Sequence, residues 1–247
     1  MFDTKDSGIG AGSLSPRRLL YVTLFGIAMA YFEAAVVVYL RAIAYPEGFA
    51  FPLAGIPSPV AAAEIGREAA SLVMIAAVAI IAGGNRPQRF AGFLIIFGIW
   101  DIFYYLFLEL LLGWPASLLT WDVLFLIPVV WAAPVIAPAG VALMMILLGG
   151  VILRGDRRLQ RSGSEGMLPE EAFRRHGFRL VRREVLLMLG AGVLLFASFV
   201  KDFLSFALPR IGDAAYGGVP VRLAELGKEY VPGGFPWLLY GGGVLLL

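Results

Sequence analysis

Glu33, Glu64, Arg67, Glu68, Asp101 and Asp122 are ionisable residues within or at the edges of long apolar runs. A charged side chain at the centre of a bilayer costs at least about 2.5 to 3.5 kcal/mol on insertion scales. Such residues therefore turn toward a bundle interior or a water-filled cavity, pair with one another, and mark places of binding or passage. Carboxylates set against guanidiniums in such a place can hold a cation, relay protons or lock helices together. Glu64, Arg67 and Glu68 are spaced i, i+3 and i+4, so all three share one helical face. They form either part of a buried site or a headgroup-level cluster at a helix start, where the helix dipole favours carboxylates. Asp101 has more than ten apolar residues on one side and seven on the other before Glu109, so it cannot easily reach the interface. Tyr104 and Tyr105, three and four residues on, are expected to reach the same face and donate hydrogen bonds to it. Glu33 is placed similarly, with Arg41 eight residues further along. Asp122 reads either as a member of this set or, with Thr120, as a helix N-cap.

The dipeptide Trp-Asp occurs at 100–101 and again at 121–122. The two fall on segments expected to run in opposite directions and are not a repeat. Tyr39, Trp114 and Trp121 sit where an aromatic belt is expected.

Composition narrows the chemistry. The 247 residues include no cysteine and one histidine, His176. Disulfides, zinc-thiolate sites, iron-sulfur clusters and covalent haem attachment are thereby excluded within this chain. Haem held between two of its own histidines, and a di-metal site built from two Glu-x-x-His pairs, are excluded as well. No nucleophile elbow, aspartate-rich diphosphate motif or Walker loop is present. No cofactor or metal is expected in this chain, and no nucleic acid as partner.

The elements that must position these residues are membrane helices. Hydrophobic residues make up 60% of the chain, charged residues only 15%, and the mean hydropathy is +0.82, far from a soluble domain in which about a quarter of residues are charged. The expected fold is an all-α polytopic transmembrane bundle of about six spans, the last one short, with the N-terminus cytoplasmic. A polar tail covers 1–18 and a four-span unit covers 19–150. A basic cytoplasmic loop follows over 151–184, then C-terminal spans over 185–247 with an outer loop at 209–234. The first span, Leu19 to about Leu40, exceeds a signal-peptide apolar region and contains Glu33, so a retained helix is expected. Four prolines between 46 and 59 rule out continuous helix there and imply a loop or a shallow re-entrant segment. The second and third spans run from about Val60 to Gly83 and Phe90 to Leu112. Ala62, Gly66 and Ala70 on the second permit close helix approach.

The fourth span is read from Asp122 to Gly150, bent or interrupted by Pro128, Pro134 and Pro138. The fifth runs from about Val185 to Leu208. The last apolar stretch, Phe235 to Leu247, has 13 residues, which at about 1.5 Å each reach two-thirds of the way across the core. It is a half-span or a helix cut by the end of the sequence. In the basic loop, Arg175, Arg179, Arg182 and Arg183 fall on one face opposite Phe173, Leu180 and Val181. They predict an amphipathic helix with a lipid-facing basic surface, or else a solvated connector.

Cytoplasmic loops are enriched in Lys and Arg. With the N-terminus inside, the inner segments hold fourteen basic residues and the outer ones five. That orientation puts the ionisable residues between the midplane and the outer surface. The localisation expected is a cell membrane, of the bacterial inner-membrane type, with membrane lipids as partners and other membrane subunits or a second copy of the chain beside them. Three functions fit. The first is binding or conduction of a proton, cation or small polar solute through Glu33, Asp101 and Glu68, with Arg41 or Arg67 as counter-charge. The second is a non-catalytic subunit of a larger membrane complex, respiratory among the options. The third is an outer-leaflet lipid-modifying enzyme with Glu64 or Asp101 as base. Non-enzymatic roles are favoured.

Overall fold

Long apolar runs without internal proline form the first three helices where hydropathy places them, and side-chain caps open the first and third. The computed structural model describes residues 14–55, 57–163, 182–211 and 218–247. Helix α1 is Pro16–Ala44; Ser15 caps it, its hydroxyl accepting from the Arg18 N–H at 3.3 Å, with Pro16 at the first helical position. Helix α2 is Ser58–Ala82. Helix α3 is Arg86–Leu112, capped by Asn85, which accepts from the Gln88 N–H at 2.8 Å. It ends at Gly113, whose left-handed φ of 62° closes the helix through a bond to the Glu109 carbonyl.

The segment expected to open the fourth span does not form helix. Trp121–Phe125 (β1) and Trp131–Pro134 (β2) form an antiparallel hairpin in which Asp122 lies opposite Ala133 and Val123 opposite Ala132. Helix α4 starts only at Ile136 and continues to Gly163. The reading of Asp122 as the start or cap of span four is thereby corrected. Pro128 and Pro134 deny the backbone N–H groups a helix needs, and the aromatic and β-branched residues between Trp121 and Trp131 suit a pleated strand. The run was apolar enough for either structure, which composition alone cannot separate.

Helix α5 is Arg182–Ile211, α6 is Gly218–Gly227 and α7 is Trp237–Leu246. Five of the seven helices among the described residues, α1 to α5, are long and apolar enough to cross a membrane, α4 over Ile136–Arg158. These helices suit a membrane-embedded chain. Arg175 and Arg179 lie outside the described residues, as does most of the expected amphipathic helix; Arg182 and Arg183 form the first turn of α5.

Helix α3 is central, packed against α4 on one side and α1 and α2 on the other, while α5 packs on α7, β2 and α6. The α3–α4 approach is close because two glycines lie in it. A Cβ on Gly98 would stand 2.4 Å from the Ala142 carbonyl oxygen, and one on Gly149 would stand 2.9 Å from the Ala91 carbonyl oxygen. The Ala62, Gly66 and Ala70 stripe does not serve this purpose. All three residues are exposed and a Cβ on Gly66 meets nothing; Ala62 lines the cavity described below instead.

At the basic end, a buried polar clasp ties the α2–α3 turn to α4. Asn85 Nδ2 donates to Asp156 Oδ1 at 3.1 Å and Gln88 Nε2 to Asp156 Oδ2 at 2.7 Å. At the other end the proline-rich segment 45–55 is non-helical, as its composition implies, and Phe51 and Leu53 pack with Phe203, Leu226 and Tyr230.

Candidate functional site

The C-terminal half of α1, the N-terminal half of α2, the C-terminal half of α3 and the hairpin meet at one end of the bundle. This alternation brings together residues up to 89 positions apart in the chain, Glu33 and Asp122. All eight residues singled out from the sequence, Glu33, Glu64, Arg67, Glu68, Asp101, Tyr104, Tyr105 and Asp122, line a single cavity of about 1330 Å³, with Arg41 among them.

Arg67 is the hub. Its guanidinium forks onto Glu64, Nε to Oε2 at 2.8 Å and Nη2 to Oε1 at 2.5 Å, and also pairs with Glu33 of α1. The fork follows from the i, i+3 spacing, which puts both groups on one face; the planar guanidinium can serve two carboxylates at once. Glu33 in turn accepts from the Ser71 hydroxyl at 3.2 Å. Ser71, one turn beyond Arg67, is a partner that the sequence reading did not single out.

A second pairing joins α1 to the hairpin. Arg41 Nη2 lies 3.6 Å from Asp122 Oδ1, and its guanidinium sits over the rings of Trp114 at 3.7 Å and Phe49 at 4.6 Å. Trp114 thus covers a cation. Asp122, only 2% exposed, also accepts from the Tyr105 hydroxyl at 3.1 Å. Burial pushes its carboxyl up to about 6, against the opposing pull of Arg41 and Tyr105. Tyr105 therefore serves Asp122 and not Asp101 as expected. A residue four positions along α3 can turn to the facing strand as readily as to its own helix neighbour.

Two carboxylates face the cavity without a bonded cation. Among the described residues Glu68 accepts only from the Leu126 N–H, at 3.3 Å. Asp101 has no hydrogen-bond or ion-pair partner among the described residues. The indole N–H of neighbouring Trp100 is likewise buried without an acceptor among them. At the mouth, exposed Lys228 also borders the cavity. No group of three or more histidine, aspartate and glutamate side chains able to hold a metal ion occurs among the described residues.

The cavity does not end with the charged groups. It continues toward the basic end between α3, α4 and α5, where Phe97, Met145, Leu148, Met188 and Leu189 line it. Leu189 and Phe196, both on its wall, are 61% and 38% exposed, so this apolar part is open sideways. Glu109 is exposed and does not border the cavity. Asp202 serves another purpose, accepting from the Tyr230 hydroxyl at 2.7 Å and the Gly233 N–H at 2.8 Å. It thereby fastens the chain before α7 to α5. In comparisons with known proteins, no family model matches the chain, and no curated protein or solved structure matches it either.

Proposed function

We propose that the chain is an integral membrane protein whose cavity binds a cation drawn from the outer side of the membrane. The observation that carries this reading is Asp101, a carboxylate that faces the cavity without a partner among the described residues, while both guanidiniums of the cluster are already engaged with other carboxylates. An uncompensated charge in a low-dielectric setting is costly, and a bound cation is the partner it lacks. Glu68, held only by a backbone N–H, is the second ligand within the same cavity.

A small anion is disfavoured by the same count. Five carboxylates and two guanidiniums line the charged end, so the field there attracts positive charge. Among the described residues the carboxylates do not converge as a metal-ligand set, which favours a monovalent or organic cation over a chelated divalent metal. The outer placement rests on the excess of basic residues at the opposite end.

Binding is the direct test. The purified protein in phosphatidylcholine nanodiscs is titrated with radiolabelled guanidinium and with tetramethylammonium. At least one is expected to bind saturably, and Asp101→Asn to weaken it by about tenfold or more, or ~1.4 kcal/mol. Absence of saturable binding of both, or equal binding by Asp101→Asn, overturns the reading.

A further inference from the structure

A cation site alone does not require the rest of the cavity. From Phe199 to Val185 the α5 wall advances by fourteen residue steps, and from Pro138 to Leu148 the α4 wall by ten. At 1.5 Å per helical residue these are lengths of about 21 and 15 Å, a large part of the ~30 Å hydrocarbon core. The lining along this stretch is apolar on all three helices. It includes Met145 and Met188 on facing walls, flexible side chains that adapt to varied apolar surfaces. It is continuous with the carboxylate end, and the exposure of Leu189 and Phe196 leaves it open on the flank that an apolar helix turns to lipid.

Resting on the cation-binding reading, we propose that the ligand is an amphiphilic alkylammonium: its charged nitrogen sits between Asp101 and Glu68, and its alkyl chain lies in the groove between α4 and α5. The joined carboxylate and apolar halves of one cavity match the two halves of such a molecule. Trp100 and Tyr104 also line the cavity, and aromatic rings are the side chains that take up a quaternary nitrogen. A phospholipid headgroup fits less well. Its phosphate would enter a carboxylate-rich end where Arg41 and Arg67 are already ion-paired, leaving, among the described residues that line the cavity, only Lys228. Sideways access lets the molecule enter from the bilayer without its chain crossing water.

Matched probes separate charge from chain. In phosphatidylcholine nanodiscs, with empty discs subtracted, saturable binding of dodecyltrimethylammonium is expected to be at least about tenfold tighter than that of tetramethylammonium. Tetraphenylphosphonium is expected to bind and its isosteric anion tetraphenylborate not to. Met145→Trp, which fills the groove, is expected to weaken the dodecyl probe by about tenfold while tetramethylammonium binding persists. Met188→Trp on the facing wall repeats the test should the first variant fail to fold, as judged by thermal unfolding.

Equal affinity for the long and short ammonium ions, or no loss from a folded groove-filling variant, overturns the alkylammonium proposal and leaves cation binding standing. Displacement of the dodecyl probe by phosphatidylethanolamine in the discs assigns the groove to a phospholipid and overturns it too. Equal binding of phosphonium and borate overturns both readings.

Discussion

At the scale of single residues, the cluster is asymmetric because one guanidinium serves two carboxylates. Removing Glu33 leaves Arg67 forked on Glu64. Removing Arg67 leaves two carboxylates on adjacent helices facing each other with no cation between them. Breaking a buried pair from the side that strands a charge costs about 3 to 5 kcal/mol, whereas losing one hydrogen bond from a satisfied group costs nearer 1 kcal/mol. Arg67→Gln is therefore expected to lower the unfolding free energy several-fold more than Glu33→Gln, measured by denaturant titration in bicelles. Equal losses from the two would show that the pairing with Glu33 dominates and that the Glu64 fork adds little. The sequence made this set of residues legible because each carries a cost in hydrocarbon that demands a reason. It did not reveal which residue pairs with which. Arg41 meets Asp122 only because a hairpin, invisible to hydropathy, swings β1 over the end of α1.

At the scale of elements, hydropathy located the helices to within a few residues wherever an apolar run lacked internal proline, as in α2 and α3. It failed over 121–135, where an apolar run rich in aromatic residues and proline suits strand as well as helix. It also misjudged which small residues mediate packing. Four-residue spacing identifies a face on which helices could approach, but not whether a partner lies there. Gly98 and Gly149 are the positions at which α3 and α4 approach closely, whereas Gly66 faces open space. Gly98→Ala puts a methyl group against a backbone carbonyl, which cannot move without shifting the helix. A loss of about 1 to 3 kcal/mol is expected. Gly66→Ala is expected to be neutral, or stabilising by up to about 1 kcal/mol through helix propensity. Thermal unfolding of both variants in the same bicelles decides the matter; similar behaviour of the two would mean that the α3–α4 approach is looser than its geometry implies.

At the scale of the whole molecule, the two ends of the bundle differ in kind. One end carries the hairpin, the proline-rich segment and the carboxylate-lined cavity; the other carries the α2–α3 turn with Arg86 and Arg89 and the clasp built on Asp156. Charge bias fixes the orientation of such a bundle during insertion, so the end facing the outside should be the one with the cavity. The chain offers a clean way to ask, because it contains no cysteine and a single one can be introduced without removing others. Glu47, in the loop after α1, and Arg86, at the start of α3, are both exposed and lie at opposite ends. In intact cells a membrane-impermeant maleimide is expected to label Glu47→Cys, and to label Arg86→Cys only after permeabilisation. The reverse pattern would turn the cavity toward the cytoplasm. It would leave the arrangement of Asp101 and Glu68 unchanged, but the proposed cation would then be drawn from inside the cell. The orientation thus decides the direction from which the proposed cation would arrive, while the site's carboxylates and apolar groove are the features on which its proposed charge and shape rest.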